Sequence, residues 1–123
     1  MSDNYVFENL NPLKRRVGDC GVRAAAKACD ISWEEAYKGL SDTCLKMHSG
    51  FTDREVMREY LESMGFKYVP VKAVKGSSRP TVSSFSSLYP HGRYVLWIAG
   101  HYAACVDGHY YDIWDSGNKC LYS

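Results

Sequence analysis

Three side chains in this sequence can share a proton between them: Cys20, His101 and Asp112. A cysteine attacks a carbonyl only as the thiolate. It therefore needs a base to take its proton, and the base needs an acceptor that fixes its tautomer. Cys20 stands in Gly18-Asp19-Cys20-Gly21-Val22-Arg23-Ala24-Ala25-Ala26-Lys27-Ala28-Cys29, an alanine-rich run that favours helix and begins with the good N-cap residue Asp19. The expected place for Cys20 is a first helical turn, where unpaired N–H groups and the helix dipole favour negative charge. The competing reading is a small cysteine buried at a helix start.

His101 is tied to Asp112 by a hairpin. Asp107-Gly108 is a two-residue turn signal between the β-rich runs 101–106 and 109–114. In that register Val106 faces His109, Ala103 faces Asp112 and His101 faces Trp114. One face then carries His101, Ala103, Cys105, Tyr110, Asp112 and Trp114. Asp112 becomes the diagonal neighbour of His101, roughly 7–8 Å away at the backbone and within side-chain reach. Asp115 falls on the other face, and is the second choice of orienting carboxylate if the strand bends after Trp114. An isolated histidine is more often a core or edge residue bonded to backbone. The upstream Cys20 and the carboxylate on the same face favour a base here.

Other elements must position these groups. Residues 1–17 read as an irregular lead-in with a turn at Asn9-Leu10-Asn11-Pro12. Ser32 and Glu35 form a capping box for a second helix with Trp33, Ala36, Tyr37 and Leu40 on its apolar face. Thr52 and Glu55 are read as the capping box of a third, carrying Val56, Tyr60, Leu61 and Met64 and stopped by Gly65. Residues 66–71 alternate as an edge strand containing Pro70. A mobile loop is expected over 75–80, then a short helix with Val82, Phe85 and Leu88 at helical spacing, and a strand at 93–98 ahead of the hairpin. Helices first and an antiparallel sheet last make an α+β pattern, expected as a single domain over residues 1–123.

Composition narrows the function classes. A net charge of +1 and no basic run longer than Lys14-Arg15-Arg16 argue against nucleic acid as a partner. No apolar stretch is long enough for a membrane span and the first residues are polar, so neither a membrane partner nor a signal peptide is expected. Five cysteines without a Cys-x-x-Cys pair then fit free thiols in a reducing cytoplasm. Ten tyrosines and three tryptophans supply core, with some left to line a cleft.

The order Cys20, His101, Asp112-Ile113-Trp114 resembles the papain-like cysteine peptidases. That fold opens a central helix with its Cys, carries its His on a later strand, and sets an Asn or Asp two residues before a covering Trp. More narrowly, Gly18-Asp19-Cys20-x-x-Arg23-Ala24 with Gly100-His101 and Tyr111-Asp112-Ile113-Trp114-Asp115 is similar to small papain-like proteins encoded by bacteriophages and prophages. The resemblance spans about residues 9 to 119. It implies a cysteine-dependent hydrolase or acyl transferase acting on peptide or isopeptide bonds through a thioester, with no cofactor. The substrate would be a peptide or protein, a host protein among the candidates, and no feature selects an oligomeric state. Trp114, with Tyr102 or Tyr110, would shield the pair and line the cleft.

The family pattern also has a Gln about six residues before the Cys, donating to the oxyanion. Lys14 stands there, and Asn11 and Asn9 are the nearest amides, Asn11 serving only if the loop folds back. Asp19 puts a negative charge beside the thiol, which Arg23 and a protonated His101 offset. The missing Gln and Asp19 favour a second reading, a papain-like binding or structural protein with no turnover. Cys44-x-x-x-His48, joined by Cys29, is a third, a zinc-stabilised module, though two or three ligands without a fourth make a poor zinc site. Cys120 and His109 are expected at the surface, and His91 in a loop without a partner.

Overall fold

Asp107 and Gly108 both adopt positive φ, 48° and 81°, the conformation that a tight two-residue hairpin requires and that glycine takes at no steric cost. The computed structural model describes residues 4–72, 75–76 and 78–123. The polar start at residues 1–3 and Ser77 of the expected loop lie outside the described residues, as do residues 73–74. The elements follow in the order β1 (Tyr5–Phe7), α1 (Cys20–Cys29), α2 (Trp33–Met47), α3 (Arg54–Ser63), α4 (Val82–Leu88), β2 (Arg93–Ile98), β3 (His101–Val106) and β4 (His109–Asp112). This is an α+β arrangement of four helices and a four-stranded mixed sheet in the order β1-β4-β3-β2.

The sheet is therefore not purely antiparallel as expected. β2–β3 and β3–β4 are antiparallel, with Val106 opposite His109 as the turn predicts, but β1 adds to the outer side of β4 in parallel. The expected irregular lead-in contains this strand. Residues 66–71 form no strand; Val71 N–H donates to the Tyr122 carbonyl and no ladder follows. A proline at position 70 removes the donor that a continuing ladder would use. The last strand also ends early, at Asp112 rather than Trp114.

Alanines bring α1 close to the sheet. Ala24, Ala25, Ala26 and Ala28 are each 3% exposed or less. Ala24 and Ala28 meet Ala104 on one face of β3, while Val22, Ala25 and Ala26 pack with Ala36 and Leu40 of α2 and Val56 and Tyr60 of α3. The opposite face buries Leu96, Ile98, Cys105 and Tyr110 beneath Val82 of α4 and Leu121. Side-chain caps start the later helices: Ser32 Oγ accepts from Glu35 N–H, and Thr81 and Ser84 form a reciprocal box. For α3 the cap is Asp53, which accepts from Glu55 N–H, in place of the expected Thr52. Expected core residues Tyr37, Met64 and Leu88 lie at the surface, and Cys44, Met57 and Ser86 take buried positions on the same helices. Among the described residues no helix is long and apolar enough to cross a membrane.

The α2–α3 contact carries a stability prediction. A Cβ on Gly39 would run into the aromatic ring of Tyr60, which is buried. Gly39→Ala gains up to about 1 kcal/mol of helix propensity, but overpacking a filled core costs about 1–3 kcal/mol. The net expectation is a lower urea midpoint; an unchanged or raised midpoint would show that α2 and α3 separate freely.

Candidate active site

Cys20 is the first residue of α1, so its own N–H and those of Gly21 and Val22 belong to the helix's open first turn. Its half-buried sulfur faces the His101 ring and the Tyr102 main-chain N–H, and both favour its ionised form. His101 stands at the start of β3 with its Nε2 2.6 Å from Asp112 Oδ2, which leaves Nδ1 for the thiol. The Trp114 ring lies 4.9 Å from the imidazole, tilted by 47°, and covers it. Cys20, His101, Asp112, Trp114 and Tyr102 are thus brought together at one end of the sheet. The β3–β4 ladder closes at Ala104 opposite Tyr111, so Asp112 sits where regular pairing ends.

Asp112 is 1% exposed and is held from several sides. Besides His101, its oxygens accept from Ile113 N–H at 2.8 Å, from Arg23 at 3.1 Å and from Ser116 Oγ at 3.5 Å. Arg23, one turn along α1 from Cys20, also reaches back to Asp19 with its Nε 2.9 Å from Oδ1. The guanidinium, itself 7% exposed, so bridges two buried carboxylates. Ordered through space, Cys20, His101, Asp112, Arg23 and Asp19 form a chain of groups whose charges alternate in sign when the thiol and imidazole are ionised.

Burial alone would raise the Cys20 thiol. The hydrogen bonds from His101 and Tyr102 N–H and the charges of His101 and Arg23 outweigh it and bring the thiol below its ordinary value. Burial pulls the other way on His101. The bonds to Asp112 and Cys20 overcome it and push the imidazole up to about 9. Both shifts favour a thiolate–imidazolium pair over a neutral thiol and imidazole.

Asp19 behaves differently from its sequence reading. Its side chain caps nothing on α1; it accepts from Arg23, from Asn11 Nδ2 at 3.1 Å and from Trp33 Nε1 at 3.1 Å. Burial would raise this carboxyl, and those three donors hold it below its ordinary value. Its charge is met by these donors, and Arg23 and His101 outweigh burial at Cys20. Asn11 is likewise a strut: its amide nitrogen donates to Asp19 and its oxygen accepts Leu13 N–H. The oxyanion role expected of Asn11 has no geometric support.

Neither a family model, nor a curated protein, nor a solved structure matches the chain. The site therefore rests on its own geometry. Asp115, the second-choice carboxylate, takes the Tyr110 hydroxyl at 2.5 Å and Gly117 N–H at 2.9 Å, whereas the carboxylate that meets the His101 ring is Asp112. Cys44 and His48 stand one turn apart at the end of α2, and among the described residues no three His, Cys, Asp or Glu side chains group to hold a metal. Cys120 and His109 are exposed. Sequence reasoning missed Trp33 and Ser116 as members of the network. The Asp19–Arg23 spacing of four residues on a helix was a readable signal for an ion pair; nothing local marked Trp33 or Ser116.

Proposed function

We propose that this chain is a papain-like, cysteine-dependent hydrolase or acyl transferase acting on peptide or isopeptide bonds. Cys20 as thiolate attacks the carbonyl carbon, and the electron pair of the C=O moves onto oxygen. The Cys20 N–H at the open start of α1 is a donor for that oxyanion. When the tetrahedral intermediate collapses, the C–N bond breaks and His101 gives its proton to the departing amine, leaving a thioester. Water, or an acceptor amine, then attacks the thioester while His101 takes its proton back, and the Cys20 thiolate leaves. Asp112 holds the imidazole and stabilises its positive form. The observation that carries this reading is the buried relay itself, Cys20 to His101 to Asp112, with Asp112 fixed from behind by Arg23.

One observation favours a second reading, a binding scaffold without turnover. Asn11 Nδ2 already donates to the buried Asp19, and among the described residues no hydrogen bond directs a side-chain amide to the Cys20 N–H; one absent oxyanion donor costs on the order of 10²–10³ in rate. Iodoacetamide alkylation of each cysteine, followed by peptide mass spectrometry from about pH 4 to about pH 9, separates the two. Cys29, Cys44 and Cys105 serve as internal standards, because burial pushes all three thiols up. The hydrolase reading expects Cys20 to react well below neutral pH, ahead of those three. An ordinary thiol titrating near pH 8.5 would favour the scaffold.

A further inference from the structure

A cavity of about 650 Å³ opens between the end of α3, the 66–71 segment and β2, and Tyr102, the neighbour of His101 in β3, is the lining residue nearest the Cys20 site. That size suits a bound side chain or short peptide segment. Tyr102 connects it to the thiol: its main-chain N–H faces the Cys20 sulfur, its ring lies against Gly21, and it stands opposite Trp97, the ring that carries Arg54. The Arg54 guanidinium lies flat over the Trp97 ring, 3.5 Å from its centroid. The cross-strand pair Tyr102 and Trp97 therefore separates the nucleophile from a cation, on the order of two residues of extended chain.

The wall is apolar and aromatic in its body and cationic in its charges. Trp97, Phe66, Val69 and Tyr89 supply the apolar surface. Four basic side chains line the cavity, Arg54, Arg58, Lys67 and Arg93, against one acidic side chain, Glu62. Glu62 is shared with Arg58 at 3.8 Å. Arg93 is spent on the Lys27 and Ala28 carbonyls at the end of α1. Among the described residues neither Arg54 nor Lys67 has a carboxylate within ion-pair distance. A guanidinium stacked on an indole is held in place yet keeps its donors for an incoming anion.

We propose that this cavity is the substrate cleft of the Cys20 site and selects a peptide segment with an acidic residue for Arg54 beside a bulky apolar residue for Trp97. The proposal rests on the hydrolase or acyl-transferase reading above and names its substrate class.

Binding can be measured apart from chemistry. In a Cys20→Ala background, fluorescence anisotropy compares a short fluorescein-labelled peptide carrying glutamate beside phenylalanine with its counterpart carrying lysine for glutamate. The glutamate peptide is expected to bind at least about tenfold more tightly, and to lose that margin as salt rises. Arg54→Glu in the same background should erase or invert the preference. That variant is expected to fold, since Arg54 is exposed and opens α3, where a carboxylate suits the helix dipole; Arg54→Gln guards the comparison. Equal affinities, no binding of either peptide, or a preference that survives Arg54→Glu would overturn the proposal. The wild-type iodoacetamide profile reports separately on the thiol. An activated thiol beside a charge-blind cleft refutes this inference alone, and a charge-selective cleft beside an ordinary thiol refutes only the catalytic reading.

Discussion

Alkylation of Cys20 at about pH 6 should slow by tens of times, on the order of 30-fold, when His101 is replaced by alanine. An ordinary cysteine with a pKa near 8.5 is about 0.3% ionised at that pH. In the wild type burial of the thiol is opposed first by the His101 hydrogen bond, then by the Tyr102 N–H and by the charges of His101 and Arg23; the alanine variant keeps the burial and loses both His101 contributions. A thiolate of lower pKa is also a weaker nucleophile, with a Brønsted coefficient of about 0.4–0.5, so the rate falls by less than the thiolate fraction. The profile should change shape as well. Wild-type His101 holds its proton up to about 9, so the ion pair spans the range from the lowered thiol value to that point. Above it the imidazole becomes neutral and the thiolate stands alone. In His101→Ala a single rise near the ordinary thiol value should replace the two steps. Superimposable profiles would mean that His101 does not govern the thiol.

The second large effect concerns stability. Arg23→Met should lower the unfolding free energy near pH 7 by about 3–5 kcal/mol, the cost of leaving buried charge without its partner. Two carboxylates are affected, Asp19 at 6% and Asp112 at 1% exposure. The deficit should depend on pH. In the wild type Asp19 is held below its unfolded value with Arg23 as a principal donor, so its stabilisation is present above the unfolded carboxylate pKa of about 3.9 and is lost as pH falls through the lower folded value. Without Arg23, only Asn11 and Trp33 oppose the burial, so the carboxyl rises from its wild-type value and the variant's penalty shrinks as pH falls and the group protonates. The deficit of Arg23→Met relative to wild type in urea titrations should therefore be larger at pH 7 than at about pH 4.5. Arg23→Lys, which keeps the charge but loses the planar fork that spans both acids, should fall between the two. A Met variant as stable as wild type at pH 7, or a deficit that grows on acidification, would contradict this account.

The parts that could be read from the sequence are those with local causes. Asp107-Gly108 demands a turn wherever it occurs, and with the turn comes the register that sets Asp112 diagonal to His101; the contact is present at 2.6 Å. The alanine run and the polar cap Ser32 act within one turn of helix, and α1 and α2 begin at or just after the expected positions, as does the short helix α4. What could not be read depends on distant partners. β1 is three residues long and exists through β4, more than a hundred positions away, which no local periodicity encodes. The 66–71 alternation looked like a strand but met no edge with a matching ladder. Asp19 has the local signature of a cap, yet three donors from α1, α2 and the lead-in compete for it and win. Asn11 was judged by its closeness to Cys20 along the chain, whereas its amide answers to the Asp19 carboxylate.

The network also sets a timetable. Asp112 lies 89 residues beyond Arg23, and contacts over such separations form after local ones, because loop closure must precede them. At a synthesis rate of about 5–20 residues per second, on the order of 5–20 s elapse between the two residues leaving the ribosome. Through that interval the nascent chain can wind α1 but lacks the assembled His101–Asp112 pair that faces Cys20 in the folded protein. The growing polypeptide consequently carries an unremarkable thiol, unable to acylate itself or the synthesis machinery, and arming of the nucleophile waits on the docking of β4.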